Sequence, residues 1–342
     1  MSTTDLTAAL ADYFAATWPH DAPPREPGDL ADSAWASFAD LGLHLVGIDE
    51  TDGGSGGTFA DLVALAVLGG RHAADVPVTE SATAAWALAR AGLTIDPTAS
   101  HSHPLTTSSV TIHADGTLSG TLHDVPWGGS VDRVVAISET GRTVLIDAAD
   151  ATVIPGRDLA GQPRDTLVLD EVTPLDVGDG LTTRELSLRA AALRVALLAG
   201  ALQGTAELTR QYVGEREQFG KPIGSFQAVQ AHVVELQQMA VMTTALADRL
   251  ALEPELVPFD VLAAQLVAAE NAATAARAAH QAHGAIGMTR EYRLHRLTRR
   301  LHTWSGDVAE PIDLSARLGA AATRAPSFAR IIVDDQRPEV AS

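Results

Sequence analysis

Three places along the chain carry side chains that could do chemistry. His101 and His103 have a spacing seen in metal ligands, but no third ligand is spaced to join them, so we expect a solvated loop and no metal site. His280 and His283 lie one helical turn apart without the intervening carboxylate of a helical zinc-hydrolase motif, which favours a packing role. The third place is residues 215–223, which combine charged, amide and aromatic side chains.

Residues 215–223 read Glu-Arg-Glu-Gln-Phe-Gly-Lys-Pro-Ile. The glycine and the proline predict that a long helix ends here. Arg216 would then interact favourably with the negative end of the helix dipole. Physical chemistry alone therefore favours a plain helix C-terminus, and it leaves a function for this segment open.

The charge balance excludes some classes of partner. The chain has 24 Lys and Arg residues against 43 Asp and Glu residues, a formal net charge of −19, and such a surface repels nucleic-acid backbones and anionic membranes. No segment approaches the ~20 apolar residues that span a bilayer, and no signal peptide is visible. Because cysteine is absent, disulfides and thiolate chemistry are excluded, and we expect a cytoplasmic protein.

Apolar spacing divides the chain into three predicted domains. Residues 1–105 have helical spacing interrupted by proline and glycine, which predicts an N-terminal helical domain. In residues 106–175 the period is two, with Asp-Gly and Thr-Gly turns, which predicts a small antiparallel β domain. Residues 176–342 return to helical spacing, and Thr182 with Glu185 has the spacing of a capping box. Four or five long helices in this block predict an antiparallel bundle.

Two stretches of the predicted bundle closely resemble the acyl-CoA dehydrogenase family. Residues 216–223, followed by Phe-Gln-Ala-Val-Gln at 226–230, resemble the family hallmark, and residues 281–292 resemble its Gln-x-x-Gly-Gly-x-Gly-x-x-x-Glu-Tyr stretch. Residues 35–42, with the glycine-rich turn at 53–56, are similar to its N-terminal region. The resemblance implies an acyl-CoA dehydrogenase-like fold, with an N-terminal all-α domain, a middle antiparallel β domain and a C-terminal four-helix bundle.

The resemblance also implies a reaction. In this family FAD lies between subunits, a glutamate takes a proton from the α carbon of an acyl-CoA thioester, and the flavin takes a hydride from the β carbon. An electron-transfer flavoprotein is a further partner that the family implies. The family positions that contact the FAD of a neighbouring subunit correspond here to Arg216, Gln218, Phe219, Gln281, Gly284 and Ala285, the last of which replaces a glycine.

The positions that serve a subunit's own flavin depart from the family. Residues 96–104 stand where the family has a Thr-Glu-Pro segment, and they do not match it. Residues 124–128 align with the Trp-Ile-Thr-Asn-Gly strand, which puts Pro126 at the threonine that reaches the flavin. Proline has neither a hydroxyl nor a backbone N–H to donate.

Neither family position for the catalytic glutamate holds an acid. An ungapped count places Val308 at the usual position and Ala190 at the alternative one. Asp307 and Glu310 lie close to the usual position and are weak candidates for a relocated base. A displacement of ~1 Å can slow a reaction by two orders of magnitude, which argues against relocation.

The resemblance therefore implies a division of labour. Some acyl-CoA dehydrogenases are α2β2 heterotetramers in which a shorter subunit lacks the base and completes the FAD site of a longer, catalytic partner. This chain resembles the short subunits of actinobacterial enzymes that shorten steroid side chains. Two alternatives stay open: a self-sufficient homo-oligomeric dehydrogenase that uses Asp307 or Glu310, and a flavin-free scaffold or acyl-CoA binding module.

Overall fold

Helical, β and helical regions follow one another along the chain, as the sequence predicts. The computed structural model describes residues 3–19, 33–106, 108–252, 255–307, 311–325, 327, 330–331 and 337–340. The helices are α1 Thr3–Thr17, α2 Ser33–Asp40, α3 Phe59–Arg71, α4 Val78–Arg90, α5 Thr183–Glu215, α6 Gln227–Ala251, α7 Pro258–His283, α8 Leu294–Trp304 and α9 Pro311–Arg324. The strands are β1 His101–Ser102, β2 Ser109–Ile112, β3 Leu118–Pro126, β4 Arg133–Ile137, β5 Thr143–Asp147, β6 Thr152–Ile154, β7 Arg164–Val172, β8 Asp176–Gly178, β9 Glu217–Gln218 and β10 Lys221–Pro222.

Contacts between residues divide the chain into two compact units. One comprises residues 1–24, 63–74 and 191–342, and the other comprises residues 25–62 and 75–190. Within the described residues, no helix has both the length and the apolar composition needed to cross a membrane.

The β strands of the second unit form two four-stranded sheets, in the orders β1-β4-β5-β8 and β2-β3-β7-β6. Their facing side chains share one apolar core, to which Val110 and Leu122 contribute from one sheet and Val134 and Ile146 from the other. The Asp-Gly and Thr-Gly turns join β2 to β3 and β4 to β5, as predicted. The short β1 differs from the prediction, because it pairs with β4 in parallel.

The face of β4 and β5 that points away from this core packs on α4. Val135 and Leu145 lie in one apolar cluster with Ala85 and Leu88 of that helix. Small side chains on α4 let the helix approach the sheet closely, since the packing distance is set by the groups at the contact. Because β4 and β5 are covered on both faces, successive side chains along each strand are buried, which explains why these strands are so apolar.

The predicted capping box opens α5. The backbone N–H of Thr182 donates to Glu185 Oε2 at 2.9 Å, and the backbone N–H of Glu185 donates to the Thr182 hydroxyl at 3.2 Å. These bonds satisfy N–H groups that have no partner within a first helical turn. From this start α5 runs without interruption for 33 residues.

In the first unit, glycines let α3 and α5 pack backbone against backbone. A Cβ at Gly70 would meet the carbonyl of Leu197, and a Cβ at Gly200 would meet the carbonyl of Val67. Such positions exclude every side chain, because backbone atoms cannot move aside as a flexible side chain can. The crossing of α3 and α5 is therefore fixed by glycine. In the same unit, α7 packs against α6, α8 and α9.

This close crossing leads to a prediction. Gly200→Ala is expected to lower the free energy of unfolding by about 2 kcal/mol or more, because the added methyl overpacks the crossing. Gly214→Ala is the matched control on the same helix, where the new methyl meets nothing within 4 Å. That variant is expected to be stabilised by about 0.5 kcal/mol, as alanine favours helix. Urea unfolding measures both, and equal stability of the two variants would contradict the contact.

Candidate functional site

A two-residue hairpin follows α5 and carries the first group of predicted cofactor contacts. Gln218 pairs with Lys221, and the turn between them is Phe219-Gly220 with φ of +52° and +77°. Two successive positive φ angles are typical of a tight hairpin turn, and phenylalanine rarely adopts one. Because α5 ends at Glu215, Arg216 lies just beyond the helix. We call residues 216–223 the Arg216 hairpin.

Backbone hydrogen bonds hold the Arg216 hairpin against the end of α5. The Arg216 N–H donates to the Tyr212 carbonyl at 2.8 Å, and the Ile223 N–H donates to the Arg216 carbonyl at 2.8 Å. The side chains of Arg216, Gln218 and Phe219 are exposed, the last at 91%. An apolar ring so fully exposed on a turn with positive φ makes this segment a candidate binding surface.

A second aromatic ring supports the hairpin. Phe226 meets Phe219 edge to face with 6.1 Å between ring centroids, and the Lys221 Nζ lies 4.5 Å from the Phe226 centroid. The cation and the ring attract each other at this distance. Among the described residues, no acidic side chain forms an ion pair with Arg216. Its guanidinium therefore remains available to an anion.

The end of α7 carries the second group of predicted contacts, Gln281, Gly284 and Ala285. All three are exposed. Gly284 ends the helix with φ +62° and ψ −142°, a conformation that favours glycine, and a Cβ there would meet nothing within 4 Å. We call residues 281–285 the α7 strip.

Three rings join the Arg216 hairpin to the α7 strip. His283 stacks on Tyr212 with 4.5 Å between centroids and an angle of 18°, and it lies 5.0 Å from the ring of Tyr292. The predicted packing role of His283 is confirmed, since its side chain is 4% exposed. Burial lowers the pKa of His283 and raises that of Tyr292. We call Tyr212, His283 and Tyr292 the ring stack.

The two groups of predicted contacts, linked through the ring stack, make up one candidate surface. It presents a guanidinium, an amide, an exposed aromatic ring and a glycine with open space above it. Paired N–H donors suit the oxygens of a diphosphate, and an exposed ring suits a heterocycle. The donor set therefore fits a dinucleotide such as FAD.

The end of β3, which aligns with the family's position for a subunit's own flavin, is hydrogen-bonded within the chain. The Pro126 carbonyl, at the end of β3, accepts a hydrogen bond from the hydroxyl of Ser102. The next residue, Trp127, has φ +58° and is 2% exposed within the β core. Pro126 has no N–H to donate, and the backbone N–H of Trp127 donates to the Pro163 carbonyl at 3.2 Å.

The expectation that His101 and His103 lie in a solvated loop is wrong. Both are buried, at 1% and 2% exposure. His101 belongs to β1, and neither of its ring nitrogens has a hydrogen-bond partner in the described structure. Burial lowers the pKa of His101 to about 4. The local Ser, Pro and Thr content is typical of an exposed loop, but pairing with the distant β4 buries this segment.

The candidate base Asp307 forms a buried ion pair. Its Oδ2 lies 3.0 Å from Arg194 Nε, and the two side chains are 5% and 4% exposed. Buried charges of this kind stabilise each other only while both partners are present. The other candidate, Glu310, and Val308 lie outside the described residues.

Ala190, at the alternative base position, lines a small cavity. The cavity measures about 40 Å³ and is also lined by Thr183, Leu186 and Ser187 of α5. Pockets for small molecules usually measure ~300–1,000 Å³. This cavity holds a few water molecules at most, so it offers no room for an acyl chain.

Arg189, which no sequence pattern singled out, is 7% exposed on α5. Its guanidinium carbon lies 4.8 Å from the Phe59 ring centroid and 4.6 Å from that of Trp86. Nε and Nη2 find no acceptor in the part of the chain that the structure describes, and burial lowers the pKa of Arg189 to about 9. Attraction to two aromatic faces offsets part of this burial. No local signal could reveal it, because both rings come from much earlier in the chain.

Comparisons with known sequences place these features among known proteins. Residues 178–305 match the family described as "Acyl-CoA dehydrogenase, C-terminal domain". The chain is 33% identical over 209 residues to acyl-CoA dehydrogenase FadE34 of Mycobacterium tuberculosis, a match to 57% of this chain but only 28% of that protein. It is 28% identical over 303 residues to acyl-CoA dehydrogenase IpdE2 of the same organism, which covers 86% of this chain and 88% of IpdE2.

Solved structures share the fold. The ChsE4-ChsE5 complex from M. tuberculosis contains a chain with a TM-score of 0.79 and 24% identity, covering 95% of this chain and 99% of that one. A glutaryl-CoA dehydrogenase from Mycobacterium smegmatis in complex with FADH2 gives a TM-score of 0.77 and 18% identity, with 96% of each chain covered.

The buried His101 generates a pH prediction. A histidine with a lowered pKa binds fewer protons folded than unfolded, so its stabilising effect is complete above about pH 6.5 and is lost as the pH falls toward 4. Between pH 7.5 and pH 5 this loss is about 2 kcal/mol. His101→Leu is expected to remove that part of the acid sensitivity.

His123→Leu, at an exposed position of β3, serves as the control and should keep the wild-type pH dependence. Urea unfolding at both pH values measures the effect. An unchanged pH dependence in His101→Leu would show that His101 is not buried in its neutral form.

Proposed function

We propose that the chain, whose residues 178–305 match the acyl-CoA dehydrogenase C-terminal domain, is the base-lacking subunit of a heteromeric, FAD-dependent acyl-CoA dehydrogenase. In this proposal it completes the FAD site of a longer, catalytic partner in an α2β2 assembly. One observation carries the proposal: the residues that suit a neighbour's cofactor are exposed, whereas Pro126, at a position for a flavin of its own, has no donor and its carbonyl is bonded to Ser102.

The Arg216 hairpin and the α7 strip hold the partner's FAD in this proposal. Arg216 would bind the diphosphate through its paired donors, and Gln218 and Gln281 would add amide hydrogen bonds. Phe219 would pack against a ring of the cofactor. When bound, FAD supplies the acceptor for the two hydrogens removed from the acyl chain.

The absence of a base supports the non-catalytic role. Ala190 has no ionisable group, and Val308 stands at the usual glutamate position. A general base must reach the proton it removes and be able to accept it. Asp307 is a poor base in this respect, because its buried carboxylate pairs with Arg194. A self-sufficient homo-oligomer would have to rely on Asp307 or Glu310.

The comparisons support a partner of the same fold. ChsE4-ChsE5 is a complex of two different chains, and IpdE2, which this chain matches over most of its length, is itself named an acyl-CoA dehydrogenase. We propose an acyl-CoA thioester as the substrate of the assembly, with the steroid side-chain class as the first to try. An electron-transfer flavoprotein is the proposed electron acceptor.

Arg216→Ala tests the proposal directly. In the complex of this chain with its catalytic partner, the variant is expected to lose a charge-assisted phosphate contact of about 1.5–3 kcal/mol, which corresponds to a roughly 10- to 150-fold weaker hold on FAD. Flavin absorbance per heterodimer after gel filtration measures the retained cofactor. Arg210→Ala, at another exposed arginine of α5, is the matched control and should leave FAD content unchanged.

Two results would contradict the proposal. Full FAD content in the Arg216→Ala complex would favour a scaffold or acyl-CoA binding module that does not touch the cofactor. Stoichiometric FAD and turnover in this chain purified alone would favour a self-sufficient dehydrogenase.

Asp307→Asn separates a structural from a catalytic carboxylate. We expect it to remove the negative charge that lies beside the buried Arg194 and to lower the free energy of unfolding by about 3 kcal/mol or more. We expect Asp307→Asn/Arg194→Met to recover part of that loss, since it removes both charges. Thermal unfolding measures both. A stable Asp307→Asn complex with abolished turnover would instead identify Asp307 as the base.

A further inference from the structure

We propose that His283 is a positioning residue for the cofactor: its ring fixes the geometry between the Arg216 hairpin and the α7 strip before FAD and the partner bind. The inference rests on the proposed function, because it takes these two segments to hold FAD. It adds a residue that itself lies beneath the surface.

The ring of His283 links the two segments through Tyr212. His283 lies between Gln281 and Gly284 in sequence, so its backbone belongs to the α7 strip. Its ring stacks on Tyr212 at 4.5 Å, and the Tyr212 carbonyl accepts the N–H of Arg216 at 2.8 Å. A shift of the imidazole would therefore move both segments.

Hydrogen bonds fix the orientation of the imidazole. Nδ1 lies 2.8 Å from the Ala279 carbonyl, which can only accept, so Nδ1 carries the proton. Nε2 of the neutral ring then accepts from the Tyr292 hydroxyl at 3.3 Å. Burial lowers the pKa of His283, which favours this neutral form. The ring is held on two sides and stacked on a third.

The backbone at the end of α7 is held as well. The Tyr212 hydroxyl donates to the His283 carbonyl at 3.4 Å, one of the last carbonyls of the helix, which have no partner within it. Tyr212 thus contacts the α7 strip through its ring and through its hydroxyl. Gly284 follows immediately, so this contact sets where the strip leaves the helix.

A surface positioned in advance binds more tightly than one that must be ordered by the ligand. Ordering a loop or a side chain on binding reduces affinity, and a displacement of ~1 Å in a functional group has large effects. The ring stack supplies this advance positioning from within the chain. Its contribution should therefore show in how long FAD stays bound.

The test uses the FAD-loaded complex of the full chain with its catalytic partner. His283→Ala is expected to accelerate FAD release by about tenfold or more, followed by the rise in flavin fluorescence after dilution. His283→Phe keeps a ring stacked on Tyr212 and is expected to restore most of the loss. His280→Ala is the matched control one turn earlier on α7, where the imidazole bonds to Thr298, and should release FAD at the wild-type rate.

A second variant breaks the same stack from α5. Tyr212→Leu is expected to accelerate FAD release as His283→Ala does, and it provides the test should His283→Ala fail to fold. In the double variant the effects should not multiply, because both substitutions remove one contact. Thermal unfolding midpoints of all variants are measured in parallel. If the role of His283 were merely structural, substitution would shift the midpoint, but His283→Ala and His283→Phe would release FAD at the same rate.

Three outcomes would overturn the inference: wild-type release from His283→Ala or Tyr212→Leu, no restoration by His283→Phe, or multiplying effects in the double variant. A wild-type complex that assembles without retaining FAD would contradict the proposed function instead. The two failures are therefore distinguishable in one set of samples.

Discussion

Close contact between the backbones of α3 and α5 is the constraint on which the functional surface depends. At Gly70 and Gly200 no side chain separates the two helices, so their crossing has little freedom. Because α5 continues as one helix to Glu215, fixing it at the crossing also fixes the direction in which its C-terminal end projects. The Arg216 hairpin is bonded to that end and follows it.

Three arginines on α5 or just beyond it lie in three different environments. Arg189 is buried between two aromatic rings, Arg194 is buried beside a carboxylate, and Arg216 stands exposed beyond the helix end. The two buried guanidinium groups occupy interior space and meet partners from this chain. Arg216 is exposed just beyond the end of the helix, in the segment proposed to bind FAD.

The segment at Pro126 and the surface around Arg216 differ in which hydrogen-bonding groups they offer to a flavin. Pro126 has neither a hydroxyl nor an N–H to donate to a flavin, and its carbonyl already accepts a hydrogen bond from Ser102. The cavity at Ala190 is too small for an acyl chain. In the proposed assembly the chain contributes its exposed surface, and the ring stack lies beneath Arg216 and Gly284 of that surface.

The sequence by itself determined the elements whose causes are local. The Thr182 capping box, the glycine turns between strands and the end of α5 before Gly220 all depend on residues within a few positions of one another. The residues proposed to hold FAD were likewise readable, because they occur in two continuous stretches whose order matches a known family.

Only the tertiary structure decided the features that join distant parts of the chain. The pairing of Asp307 with Arg194, the burial of His101 beside β4 and the stacking of His283 on Tyr212 each bring together residues from separate elements. Periodicity and capping report on a single segment, whereas burial and charge pairing depend on which segment lies opposite. For that reason the sequence could indicate the proposed cofactor surface but could not show that Asp307 is already paired or that a histidine lies beneath that surface.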